Sequence, residues 1–473
     1  MKKNTNTQTH FNGYLIAAIP FVVSFLFFLI AYPYHLIRRE QMSLFLYDGD
    51  YIRQTYHGMG WFARMAGDFL EQFFHLPAVG PIVVALLLTA IAVFTYCIFR
   101  KFIGRWPSLA VASLMFLWSF MRETGNLYVT RYTIVVLCYL SLVLLALQFK
   151  KLWSKSVAAV LLLAIGVWSL GAPVHKNYGK AWGVPRIEYD RIIGLDDEVA
   201  REHWDKVLKL SRKDLYMVEA SYCYNLAQAM KGNLGESLFD HSQSGPYEFL
   251  LRVIGEQSVF TNGLAGEAWF HLGSMTIAEQ SAITSLQASP NHTGSRYLLR
   301  LARVNLITGE DAAAQKYLNL LSKTLFYSKW AKSMMPDNQD DAVRSEILRA
   351  RARLTDDDFV HLSDQPRAVL LGLLDADPDN DLARNYLLCY DLLRYDLVQF
   401  MEDYDPERVN SRIYKEAALI WLSQQGILTD QTAADYGIET SMMNKMSLFF
   451  RYPNNYRNTY WYYYMEAKNV NAR

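Results

Sequence analysis

The residues best placed to do chemistry are Asp48 and Asp50, two carboxylates separated by a glycine, with Arg53 and His57 close behind. A carboxylate there could take a proton from an acceptor hydroxyl, and an arginine could steady a phosphate. The same stretch, Asp48-Gly49-Asp50, also reads as a solvated turn, because turns select Asp and Gly, and that plainer reading is the better one. Other catalytic patterns are absent. The sequence has no glycine-rich phosphate loop, HExxH, GxSxG or metal-spaced Cys/His cluster, and its ten histidines are scattered. Asp356-Asp357-Asp358, and Asp375 with Asp377, lack the alternating oxygen ligands and closing Glu of a calcium loop. Cys97, Cys138, Cys223 and Cys389 show no CxxC spacing and read as buried thiols. No cofactor or metal is called for, and the reading leans away from an enzyme.

The elements that would position such groups divide the 473 residues into two parts, 1–175 and 185–473. A net charge of +1 offers no field for nucleic acid. The mean hydropathy of +0.01 averages a first part with long uncharged runs and a second dense in Asp, Glu, Arg and Lys. Uncharged runs near 14–34, 76–99, 106–121, 132–149 and 156–174 predict about five transmembrane helices, so the first partner is a lipid bilayer. The first run is too long for a cleaved signal peptide and no A-x-A site follows it. Arg100, Lys101 and Arg105 in one short loop and Lys150, Lys151 and Lys155 in another face the cytoplasm by the positive-inside rule, with Arg38 and Arg39 as a counter-signal. Five crossings then make a multi-pass bacterial inner-membrane protein with a cytoplasmic N-terminus and a periplasmic C-terminal domain. Met59 to Phe74 puts Phe62, Met65 and Phe69 on one helical face and Arg64, Asp68 and Glu71 on the other, which suits a helix in the membrane interface or one packed on the bundle.

From Pro185 onward apolar residues recur at three and four positions, so this part is all-α. Asp196 and Asp197 read as the start of a helix over Glu198 to Leu210. Gly266, Trp269, Gly273, Ala278 and Pro290 fall where a tetratricopeptide pattern places a small residue, an aromatic, a turn glycine, a small residue in the second helix and a terminating proline. Gly309 and Ala314 keep that spacing in the next unit. The expected fold is therefore all-α: a transmembrane bundle followed by a tetratricopeptide-like α-solenoid, a shape suited to holding a protein or peptide. Tyr460, Trp461, Tyr462, Tyr463 and Tyr464 cover every side of a helix; they suit a cap on the last repeat, a contact with the bilayer, or a platform for a sugar or peptide.

Gln72-Phe-Phe-His-Leu-Pro77, Tyr224-Asn-Leu-Ala227 with Gly232 to Phe239, Arg303 to Leu325 and Asn458 to Tyr464 resemble a family of uncharacterised Bacteroidota inner-membrane proteins. The resemblance implies a membrane anchor with a helical-repeat tail and brings no activity, substrate or catalytic residue. The leading expectation is a membrane-anchored scaffold whose periplasmic repeat domain binds a protein or peptide in envelope assembly or transport. The alternative is an enzyme similar to polytopic glycosyltransferases that use lipid-linked phosphosugars, with Asp48 or Asp50 as base and Arg53 beside the phosphate.

Overall fold

The computed structural model describes residues 16–58, 60–125, 129–148, 156–158, 160–161, 164, 185–254, 259–289, 292–355 and 362–471. The described residues form helices joined by turns, with no strand among them, so the protein is all-α. The chain folds as two compact units. The first comprises Met1–Ile193 with two later stretches, Ser289–Arg296 and Leu318–Met335; the second comprises Gly194–Ala288, Tyr297–Tyr317 and Pro336–Arg473.

In the first unit α1 (Ile16–Ala31) closes on a π-helical turn and gives way to α2 (Pro33–Gln41) at a 78° bend. Pro33 causes the break, because it has no amide to donate and its ring disfavours a helical conformation at Tyr32. Two short helices follow, α3 (Gly49–Thr55) and α4 (Trp61–Glu71). The long helices are α5 (Val79–Ile103), α6 (Arg105–Glu123) and α7 (Val129–Ala146). Phe28, Tyr32, Leu36, Phe74, Val84 and Leu88 form one apolar cluster, and Ile91, Ile98, Val136, Leu140 and Val143 form another along α5 and α7.

The five straight spans expected from hydropathy are corrected here. Among the described residues one helix, α5, is long and apolar enough to cross a membrane, or two if the bent pair α1 and α2 counts as one span. The stretch near 14–34 breaks at Pro33, and the stretch near 106–121 lies in a helix carrying Ser108, Ser119, Arg122 and Glu123. The stretch near 132–149 is a shorter apolar helix. The one near 76–99 is α5, shifted a few residues along. Most of 156–174 lies outside the described residues.

In the second unit consecutive helices pack in pairs, Trp204–Ser211 on Val218–Met230 and Pro366–Ala376 on Asp381–Leu393, while Arg412–Gln424 packs on the more distant Tyr460–Asn471. The clearest pair is Val259–Leu272 with Met275–Ala288. Asn262 and Gly266 meet Ser281, and Gly266 also meets Ala278, so the pair is antiparallel. Gly273 makes the turn with φ +104°, a conformation that favours glycine. An added Cβ on Gly266 would stand 2.6 Å from Ser281 Cβ, so a residue without a side chain is what lets the two helices touch. Asp196 and Asp197 do not start a helix; they lie inside Ile187–Ala200, and the next helix is Trp204–Ser211. The chain breaks between them at Glu202, whose φ is 60°.

Candidate functional site

Asp48, Asp50 and Arg53 do not converge. The Asp48 carboxylate caps α3 by accepting from the amides of Asp50 (3.0 Å) and Tyr51 (2.9 Å), and it pairs with Lys323 Nζ at 2.6 Å. The hydrogen bond from Lys323 and those from the Tyr51 and Asp50 amides lower the pKa of the Asp48 carboxyl. Asp50, Arg53 and His57 are exposed, and His57 Nδ1 lies 2.7 Å from the Gln54 carbonyl.

The concentrated chemistry of the first unit lies deeper. Arg39, on α2, donates to Glu71 Oε1 at 2.8 Å, to Glu123 Oε2 at 2.7 Å and to the Thr130 hydroxyl. Glu123 Oε1 accepts from Thr133 at 2.6 Å. Beside this group Arg131 grips Asp68 with two bonds, 2.6 and 2.8 Å, and the Tyr56 hydroxyl donates to the same carboxylate at 2.9 Å. Gly67 makes room for Arg131, since a Cβ there would meet Arg131 Cγ at 2.6 Å. The acidic face of α4 is therefore turned inward, while Trp61, Phe62 and Phe69 on the same helix are exposed. These hydrogen bonds tie α2, α4, α6 and α7 together.

Two more contacts close the unit. Asp190 caps α2 from outside, accepting from the amides of His35 (2.7 Å) and Tyr34 (3.3 Å). Burial pushes its carboxyl up to about 7, although those amides pull the other way. The Tyr327 hydroxyl donates to both oxygens of Glu40, at 2.8 and 2.9 Å, with His75 Nδ1 3.3 Å away.

The second unit contains a cleft of about 660 Å³, lined by Tyr395, Tyr462 and Tyr463 together with polar residues that include Asp240, Gln243 and Asn458. Tyr395 stacks on Tyr463 with centroids 4.9 Å apart and planes 17° apart, and Phe239 packs on Tyr463 at 4.9 Å. His241 sits between Ser221 Oγ (2.8 Å) and Gln243 Nε2 (3.1 Å); burial pushes its pKa down to about 4, so it is neutral at pH 7. Tyr460 and Trp461 are buried: the Tyr460 amide donates to Glu416 Oε2 at 2.7 Å and the Trp461 indole to the Glu416 carbonyl at 3.0 Å. Tyr463 donates to the Leu393 carbonyl at 3.1 Å, and Gln424 donates to the Tyr464 hydroxyl at 3.2 Å. The aromatic run thus divides: two rings close the core, and Tyr462 and Tyr463 reach the cleft.

Of the other residues singled out from sequence, Trp269, Ala278 and Ala314 are buried, and Gly309 ends helix Ser295–Thr308 with φ +85°. Pro290 lies outside the described residues. Cys223 and Cys389 are both buried and free, whereas Cys97 is exposed and Cys138 half-buried, which corrects the expectation of four buried thiols. Among the described residues, no group of three or more His, Cys, Asp or Glu side chains is arranged to hold a metal ion. Sequence reasoning missed Arg39, Glu71, Glu123 and Tyr395. Charges bordering apolar helices flag the first three, and a helix end without glycine, Leu393-Arg394-Tyr395-Asp396, flags the last.

The fold and these sites define an all-α protein with a charge-tied helical first unit and a separate helical unit bearing an open cleft. The chain belongs to a family of unknown function, DUF6057, whose model matches residues 8–175 and 173–467. No curated protein and no solved structure matches it.

Proposed function

We propose that this protein is a membrane-embedded anchor whose second unit binds a protein or peptide partner on the periplasmic side of a bacterial inner membrane. One observation carries the membrane part: beside its apolar clusters the first unit buries a network of charges and leaves large aliphatic side chains exposed. Arg39, Glu71 and Glu123 are at most 2% exposed, while Ile30 is 71%, Leu114 68%, Ile19 58% and Leu86 55% exposed. In water this distribution pays twice, in desolvated charge and in wetted hydrocarbon; in lipid it is the expected one. The 25 residues of α5, at about 1.5 Å each, exceed a hydrocarbon core of roughly 30 Å.

The two ends of the unit support this sidedness. The end of α6, the start of α7 and the approach to α5 meet at the Arg39 cluster. Arg100 and Lys101 lie at the opposite end of α5, where Lys101 Nζ reaches the Leu147 carbonyl at 3.4 Å. Basic residues favour the cytoplasm, so the Arg39 cluster faces outward. The uncharged sequence 156–174, read from its hydropathy as one more crossing, would carry the chain to the periplasm before the second unit. Its helix pairs are similar to tetratricopeptide units around Gly266, Trp269 and Gly273, and stacked pairs of that kind commonly hold peptides.

A protease-cleavable tag after Arg473 tests the sidedness. Cleavage in spheroplasts without lysis is expected, and protection until lysis overturns it. Cross-linking of the intact chain in envelopes should then give one defined adduct through the second unit; adducts through the first unit alone would count against the binding role.

A further inference from the structure

We infer that the cleft of the second unit is a binding site for a short, uncharged oligosaccharide, with Tyr395 as its stacking platform. The inference goes beyond the protein-binding role and depends on different residues.

The first argument is conformational. Tyr395 follows helix Asp381–Leu393 at the position where a chain reverses into the left-handed region, with φ 61°. The Tyr395 amide bonds the Leu392 carbonyl at 3.1 Å and the Asp396 amide bonds the Asp391 carbonyl at 3.1 Å, a hydrogen-bonded helix end of the kind usually built on glycine. In the same unit Gly232, Gly273, Gly309, Gly426 and Gly437 hold comparable positive-φ positions, and among its described residues Glu202 is the other one with a side chain that does so. A tyrosine there is strained, and strain of this kind persists where the side chain has work to do. Its ring lies on Tyr463 and remains 38% exposed at the cleft.

The second argument is chemical. Around the platform stand exposed groups of both hydrogen-bonding senses: Asp240 and Glu466 accept, Arg457 donates, and Ser242 and Asn458 do both. Sugar hydroxyls need this mixture, and the apolar face of a sugar ring needs an aromatic surface. The lining carries two carboxylates, one arginine and a neutral His241, and Arg412 stands 3.9 Å from Asp240, so the charges balance and the cleft has no positive excess to draw a phosphate or other anion. A peptide held here would want a deep apolar pocket for an anchor side chain, and this polar-rimmed cleft supplies none. Its volume of about 660 Å³ falls within the roughly 300–1,000 Å³ of small-ligand sites.

The test uses the full chain in an amine-oxide detergent, because glycoside detergents carry sugar headgroups. Cellotetraose, chitotetraose and maltotetraose are titrated by calorimetry, with a sulfated disaccharide and a tetrapeptide beside them. At least one neutral tetrasaccharide should bind. Tyr395→Gly should weaken it on the order of tenfold while leaving the melting temperature unchanged or higher, since glycine relieves the strain. Tyr395→Phe should keep the affinity, and Asn458→Ala, on the exposed rim, should lower it without touching the fold. The inference is overturned if no neutral tetrasaccharide binds at millimolar concentration, if only the peptide or the sulfated sugar binds, or if binding survives both Tyr395→Gly and Asn458→Ala. Loss of fold in Tyr395→Gly would leave the decision to Asn458→Ala and Tyr395→Phe. None of these outcomes bears on membrane residence, and binding of the tetrapeptide alone would overturn the sugar site while favouring the peptide-binding role.

Discussion

Replacing Arg39 by Met should be the most damaging single change in the first unit. The Arg39 side chain is fully buried, and its guanidinium serves Glu71 at 2.8 Å, Glu123 at 2.7 Å and Thr130. Met keeps much of the volume beside the Phe74 ring, over which Arg39 lies at 5.3 Å, so the loss is almost purely electrostatic. Stranding one buried partner of an ion pair costs about 3–5 kcal/mol, and here two carboxylates are stranded, which places the estimate near the top of that range. Set against total stabilities of roughly 5–15 kcal/mol, such a loss is large. At about 2–4 °C per kcal/mol for a unit of this size, the melting temperature should fall by roughly 10–20 °C. The assay is thermal unfolding of the intact chain in nanodiscs, followed by tryptophan fluorescence. Arg39→Met combined with Glu71→Gln and Glu123→Gln should recover most of the loss, because neutral groups strand no charge. A single variant within about 1 kcal/mol of the parent, or a triple variant no better than the single, would refute the electrostatic reasoning.

Further predictions follow from the same geometry. Gly67→Ala should push Arg131 off Asp68 and cost about 1–3 kcal/mol by overpacking, read as a lower melting temperature. Gly266→Val should cost a similar amount in the second unit by separating Val259–Leu272 from Met275–Ala288, read by chemical denaturation. Burial pushes the Glu416 carboxyl from 4.5 up to about 7. Between those values the folded state keeps a proton that the unfolded state has released, so stability falls as pH rises from 4.5 to 7, by about 3 kcal/mol from this group. Glu416→Gln should therefore show a flatter fall in melting temperature over that window than the parent, and an equal slope would reject the assignment.

Much of the helical plan was legible in the sequence. The uncharged run before Arg100 became α5, and Gly273 marked a real turn, because a long apolar helix and a left-handed glycine are both local features. What was not legible depends on distant partners. Asp68 and Glu71 read as the wet face of an amphipathic helix, since their cations Arg131 and Arg39 lie 63 and 32 residues away. Arg39 read as a topological signal for the same reason, although its charge is consumed internally. Hydropathy averaged across Pro33 and so hid the bend between α1 and α2. The stretch Leu318–Met335 belongs to the first unit through contacts such as Tyr327 with Glu40, 287 residues apart, which no periodicity can reveal. Of the cleft, only the tyrosines at the chain end stood out, because Tyr395 and Asp240 come from separate turns.

The most direct test of the account is whether the exposed aliphatic surface of the first unit touches lipid. Nitroxide labels at Ile30→Cys, Leu86→Cys and Leu114→Cys, in the full chain reconstituted into bilayers, report collision with oxygen and with a water-soluble nickel chelate. High oxygen and low nickel accessibility at all three is predicted, with the reverse at Asp50→Cys on the exposed turn of α3. Nickel accessibility at the three aliphatic positions equal to that at Asp50→Cys would contradict it.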